Sequence, residues 1–172
     1  MDDRQKEQES DDVVELILRD HRTMEELFRE MRSVEADRAA ALRRLADLLI
    51  AHAEAEEAEV YPALRRYRNV DEHDVEHGVE EHTEGNEALL ALLEVDGPGA
   101  AGWDEKLEDL VQAVNHHLDE EERSLINDTR ENVASARRAE LGRAFVRARR
   151  DILATAPGRL ENVREVVAAA SK

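Results

Sequence analysis

The chain has 172 residues, the size of one domain and enough to bury a core, and its 42 acidic against 24 basic residues give a net charge of −18. Such a surface repels phosphate backbones and anionic membranes, which argues against nucleic-acid and membrane partners. With no cysteine, disulfide scaffolds, thiolate zinc sites, iron–sulfur clusters and cysteine nucleophiles are excluded.

The start, MDDRQKEQESDD, lacks the basic and apolar regions of a secretory signal, and no stretch approaches the ~20 apolar residues of a membrane span, so a cytoplasmic protein is expected. Residues 1–10 read as a disordered acidic tail. A first helix is predicted from Asp12 to Ser33, with Val13, Ile17, Met24, Leu27, Phe28 and Met31 as its apolar stripe. A second, from Asp37, turns Leu42, Leu45, Leu49 and Val60 inward until Pro62, which removes a backbone donor and must kink or end it. A third, Glu72 to Glu94, carries Val75, Val79, Leu89, Leu90 and Leu93 on one side and stops at Asp96-Gly97-Pro98-Gly99. A fourth runs from Trp103 to Arg130. The fold expected is all-α: an up-down-up-down four-helix bundle over residues 11–130. Residues 131–172 then add a C-terminal helix through Leu141, Phe145 and Ile152, a Pro157-Gly158 break and an Ala/Val-rich tail, which could cover the bundle, mediate a homodimer or fray.

Polar residues interrupt the apolar stripes. At 100° per residue, His52 and Glu56 fall at about 280° and 320° from Leu42, on the side of Leu45 and Leu49. His117 and Glu121 take the same angles from Leu107, whereas His116 and Glu120 project to the far side. His82 lies within about 20° of Val75 while His73 and His77 point away, and His21 sits on the shoulder of its stripe at about 80° from Val13. His52-x3-Glu56-Glu57-x2-Val60-Tyr61 and His117-x3-Glu121-Glu122-x2-Leu125-Ile126 share one pattern, each preceded by a histidine one helix earlier. Two helix hairpins facing each other would each bring two imidazoles and one carboxylate.

Two glutamates inside a bundle need a cationic partner, because burying an ionised carboxylate alone costs several kcal/mol. A metal-free network of Glu–His+ pairs is one solution. The i, i+4 spacing, which sets both groups on one helical face, favours a metal. Four imidazoles and two carboxylates exceed one tetrahedral zinc and suit two first-row ions about 3.5–4 Å apart. Without thiolates, iron or manganese fits best, while zinc and copper would also bind such a set. No Gly-rich nucleotide motif and no Ser/His/Asp set stands out. The His-x3-Glu order also differs from the Glu-x-x-His of ferritin-like carboxylate sites.

Asp20-His21-Arg22, His52-x3-Glu56-Glu57 leading to Tyr61-Pro62, Glu81-His82, and His116-His117-x2-Glu120-Glu121-Glu122 together resemble the hemerythrin-like HHE cation-binding domain of bacteria. The resemblance implies a centre of two non-heme iron ions, oxo- or hydroxo-bridged, with manganese or zinc as substitutes, held by His21, His52, Glu56, His82, His117 and Glu121. It implies partners such as O2, H2O2 or NO in a monomer or homodimer. Two functional outcomes follow: catalase-like peroxide removal, or non-catalytic oxygen, NO or iron sensing or iron handling that signals through the C-terminal helix. Two features depart from the family pattern. Asn127 stands where a proline is frequent, and no His-x3-His pair of the oxygen carriers faces the core unless a kink at Gly78 turns His77 inward as a seventh ligand.

Overall fold

The structure, a computed structural model, describes residues 11–172; the acidic tail expected over residues 1–10 lies outside them. In chain order the helices are α1 (Val13–Arg32), α2 (Arg38–Ala55), a π-helical turn (Glu56–Val60), α3 (Tyr61–Leu64) and α4 (Glu72–Leu93). Then come α5 (Trp103–Arg123), α6 (Leu125–Asn132), α7 (Ser135–Leu153) and α8 (Leu160–Ala170), with no strand among the described residues. Aspartates start three of these helices by accepting from N–H groups that a first turn leaves unpaired. Asp12 accepts from Val14 at 3.0 Å, Asp37 from Ala40 at 2.9 Å and Asp71 from His73 at 2.9 Å. Among the described residues no helix is long and apolar enough to cross a membrane.

The apolar stripes meet in two clusters. One holds Met24, Leu45, Ile50, Leu92, Trp103 and Leu110; the other holds Val14, Ile17, Leu64, Val75, Ile126 and Phe145. α1 passes from the second cluster to the first, α2 with its π turn and α3 passes back, α4 returns, and α5 with α6 passes back again. Surface ion pairs, each worth little energy, mark the same directions. Arg32 meets Glu108 at 2.6 Å, Arg22 meets Glu122 at 3.0 Å, and Arg130 meets Glu15 at 3.3 Å, so the end of α1 lies beside the start of α5. The polar residues that interrupt the stripes all fall between the two clusters.

Three local features go beyond the sequence expectation. Around Pro62 the second helix leaves regular α geometry: a π turn precedes it, in which the Tyr61 N–H reaches back five residues to the Glu56 carbonyl, and α3 ends two residues after it at Leu64. The predicted fourth helix breaks at Ser124 (φ −105°, ψ −82°) into α5 and α6, and Asn127 donates from Nδ2 to the Arg123 carbonyl at 3.1 Å. Both interruptions follow directly on a His-x3-Glu motif. The Ala/Val-rich tail is the helix α8, whose Val163 is fully buried and whose Val166 and Val167 pack on the first cluster. It is seated through Gly158, whose N–H donates to Asp47 Oδ1 at 2.8 Å and where a Cβ would stand 2.4 Å from the Asp47 nitrogen.

Candidate metal centre

α1, α2 with the π turn that follows it, α4 and α5 bring His21, His52, Glu56, His82, His117 and Glu121 into one layer, each no more than 5% exposed. His21, placed only at the edge of its stripe by projection, is entirely buried. The imidazoles stand in two pairs: His21 and His52 with ring centroids 5.2 Å apart, His82 and His117 with centroids 4.5 Å apart. Glu56 lies between the pairs, with Oε1 3.1 Å from His52 Nε2 and Oε2 3.1 Å from His82 Nε2. Glu121 Oε2 lies 3.2 Å from His21 Nε2 and 3.8 Å from His117 Nε2. Two groups that could each hold a cation result: His21, His52, Glu56 and Glu121, and Glu56, His82 and His117, with donor atoms mutually within 4.8 Å.

What turns every Nε2 inward is a carboxylate on the opposite ring nitrogen. His21 Nδ1 pairs with Glu122 at 3.0 Å, His52 Nδ1 with Asp20 at 3.0 Å, His82 Nδ1 with Glu57 at 2.8 Å and His117 Nδ1 with Glu81 at 2.9 Å. A carboxylate accepting from Nδ1–H fixes ring orientation and tautomer and makes Nε2 more basic, the usual support of a metal-binding histidine. The four contacts obey the internal repeat: Asp20, His21, His52, Glu56 and Glu57 correspond to Glu81, His82, His117, Glu121 and Glu122. Each hairpin supplies one acceptor to its own second histidine and one to the other hairpin's first.

Reasoning from helical projection missed these four acceptors: Asp20 projects into its own stripe, about 340° from Val13, without being singled out there, and Glu57, Glu81 and Glu122 project to the edge of their stripes or off them. Adjacency is the available signal: Asp20 and Glu81 precede a histidine, and Glu57 and Glu122 follow a glutamate. Tyr61 was missed as well. Its buried hydroxyl donates to Glu121 Oε1 at 3.0 Å and lies 3.4 Å from Glu56 Oε2 and 3.5 Å from His82 Nε2. Its ring stacks on His82 at 5.6 Å. The residue one turn before His82 is Gly78, where a Cβ would come 2.8 Å from the Tyr61 hydroxyl oxygen. The phenol therefore occupies the space that a side chain at residue 78 would need. His77 does not turn inward; its half-exposed ring meets the outer oxygen of Glu81.

Electrostatics bind the layer together. Burial pulls the His52 imidazole down, but the Glu56 charge and the Asp20 hydrogen bond outweigh it and push the pKa up to about 10. His82 is likewise lowered by burial and raised more strongly by Glu56 and Glu57, to about 9. Burial acts to raise Glu56, yet His52 and His82 hold it well below its ordinary range. Burial pushes the Tyr61 phenol well above its ordinary range, and the carboxylates of Glu121 and Glu56 push it further.

Four of the converging atoms, His21 Nε2, His52 Nε2, Glu56 Oε1 and Glu121 Oε2, are buried without a hydrogen-bond partner. They lie near opposite charge but are aligned for none, and such orphaned atoms are rare in folded interiors. His82 Nε2 and His117 Nε2 are only 3.1 Å apart, close enough to share one proton or one cation. A donor set of imidazole and carboxylate without thiolate suits first-row divalent ions.

An all-helical protein whose buried polar layer converges two imidazole pairs on two carboxylates is built to take up cations. Residues 12–127 match the hemerythrin HHE cation binding domain family, and the chain belongs to it. No curated protein and no solved structure matches the chain.

Proposed function

We propose that the chain is a non-heme di-iron protein that binds or reacts with small oxygen-derived ligands. In this reading residues 11–130 form an up-down-up-down four-helix bundle, and residues 131–172 cover it. His21, His52, Glu56, His82, His117 and Glu121 hold two irons, manganese or zinc being able to substitute. The observation that carries the reading is the convergence of four Nδ1-tethered imidazoles and two carboxylates on one buried layer with unpartnered atoms. Bound iron supplies redox change and open positions for O2, H2O2 or NO.

The chain's own residues set the conditions. Glu56, with an oxygen facing each imidazole pair, would serve as a carboxylate ligand to a cation held by either pair. Asp20, Glu57, Glu81 and Glu122 keep the imidazole protons on Nδ1 and away from the centre. Tyr61 holds a proton against Glu121 Oε1, and its raised pKa keeps that proton on the phenol. Burial of all six ligands excludes large substrates, which supports small ligands as the chemistry of the site.

A second reading, a sensor signalling through the C-terminal helix, is favoured by one contact set. On α7, Phe145 stands edge-on to His52 with centroids 5.7 Å apart, and Arg149 pairs with Asp20. In this reading a shift of His52 or Asp20 is passed to α7 through these two contacts.

The deciding experiment loads the protein with ferrous iron anaerobically, admits air, and measures iron per chain, the near-ultraviolet spectrum and oxygen release from peroxide. About two irons with turnover supports peroxide removal, and two irons without turnover supports the sensor. Absence of stoichiometric iron, or retention of the spectrum by His52→Ala and Glu56→Ala variants, overturns the di-iron reading.

A further inference from the structure

Glu81 has two faces. Its Oε2 accepts from His117 Nδ1 at 2.9 Å inside the layer. Its Oε1 is buried, makes no hydrogen bond, and points the other way. There it lies 3.3 Å from His77 Nε2 and 3.3 Å from His116 Nε2. These three atoms lie mutually within 4.8 Å, and none is used by the centre described above.

The helices dictate the grouping. His77 is one turn before Glu81 on α4 and so shares its face. His116 precedes His117 on α5, and the step of 100° sends the one ring inward and the other to the outer edge beside α4. The His77 ring is further steadied by stacking on His73, with centroids 6.1 Å apart at 16°. The side chain of Glu81 is only 4% exposed, whereas those of His77 and His116 are 45% and 59% exposed, so the group opens to solvent on one side.

We propose that His77, His116 and Glu81 form a second metal site, separate from the buried centre, for a divalent cation of borderline softness such as zinc, with water completing the coordination. Two imidazoles and one carboxylate with an open fourth position is an established donor set for zinc. Ligands at about 2.0–2.1 Å in tetrahedral array stand about 3.3 Å apart, which is the separation found from Glu81 Oε1 to each ring nitrogen. An ion there satisfies the orphaned Oε1. The carboxylate then links the two sites, since the oxygen facing His117 belongs to the same group.

The site stands on its own geometry and does not require iron in the layer. Zinc binding is measured by equilibrium dialysis and metal analysis on the wild-type chain, on His77→Ala/His116→Ala, and on His52→Ala/Glu56→Ala. The surface pair lies at exposed positions, and unchanged helix content by circular dichroism verifies its folding. The surface variant is expected to lose one zinc per chain while keeping whatever the buried layer binds, and the buried-layer variant to keep the surface zinc. Single His77→Ala or His116→Ala substitutions weaken that zinc by at least about tenfold. Equal zinc content and affinity in the wild-type chain and the surface variant overturns the proposal. Failure of the buried-layer reading looks different: the wild-type chain then holds a single zinc, and the surface substitutions abolish it.

Discussion

Asp20 Oδ2 accepts a hydrogen bond from His52 Nδ1 at 3.0 Å, and both groups are buried. The other Asp20 oxygen accepts from Arg149, so the carboxylate uses both oxygens at once. An asparagine there is nearly isosteric but has one acceptor oxygen, and can serve His52 or Arg149, not both. Asp20→Asn is therefore expected to leave the helices intact and weaken metal uptake about 10–100-fold, measured by chelator competition. An unchanged affinity would show that the tether does not support His52 as a ligand.

The raised histidine pKa values give metal-free protein a defined pH profile. His52 at about 10 and His82 at about 9 lie above the unfolded value of about 6.5. Their contribution to stability is thus complete below pH ~6.5 and lost as the pH rises through their folded values. Glu56 acts with the opposite sign: its depressed pKa contributes stability above about pH 4.5, lost as the pH falls through the folded value. Metal-free protein should be most resistant to denaturant between about pH 4.5 and 6.5 and should weaken steadily towards pH 10. Metal replaces the protons, so the loaded protein should not weaken in that alkaline range, and loading at pH 7 should release at least the protons of His52 and His82. Calorimetry in buffers of different ionisation enthalpy counts them. A flat profile for the metal-free chain would contradict the charged His–Glu layer.

The Tyr61 hydroxyl and Gly78 form a coupled pair. A Cβ at residue 78 would stand 2.8 Å from that oxygen, and the ring has little freedom because it is fully buried and stacked on His82. Gly78→Ala should cost about 1–3 kcal/mol through overpacking, partly offset by up to ~1 kcal/mol from better helix propensity. With Tyr61→Phe the oxygen is gone and only the ring carbon at 3.3 Å remains close, so most of the cost of alanine at residue 78 should disappear. Denaturant titration of the four chains should yield a coupling of about 1–3 kcal/mol, and additive effects would mean the contact is not tight.

The sequence carries the helices and the inward histidines because both follow from one angle, 100° per residue, applied to stripes as regular as Leu107, Leu110 and Val114. The same rule fails where the helix departs from that angle. It takes Trp103 to Arg130 as one rod, although the chain breaks at Ser124, and it marks Pro62 as a kink or an end without giving the π turn that precedes it. It also sees one helix at a time. Glu57, Glu81 and Glu122 project away from the centre of their own stripes, Asp20 falls within its stripe, and all four find their partners on neighbouring helices, a relation fixed only once the helices pack. The tail after Pro157 has too short an apolar pattern to declare its partner, and it is the contact at Gly158 and the burial of Val163 that seat it.

Arg149 offers the clearest test of whether the C-terminal helix senses the buried layer. It pairs with the buried Asp20 and lies over the Phe145 ring with its guanidinium carbon 5.3 Å from the centroid, while Phe145 stands against His52. Replacing it with methionine keeps most of the side-chain volume against Phe145 and removes the donor to one Asp20 oxygen. Desolvation acts to raise the Asp20 pKa, and the His52 and Arg149 contacts bring it below its ordinary range, so loss of the arginine raises it again. Arg149→Met should destabilise the protein by about 1.5–3 kcal/mol, as expected for a hydrogen bond to a charged group with a buried partner. If α7 reads the state of the layer, hydrogen exchange along Phe145 to Ile152 should differ between metal-free and loaded wild-type protein, and this difference should shrink in the variant. Equal exchange in α7 with and without metal would leave the arginine as a structural clamp and favour chemistry over signalling.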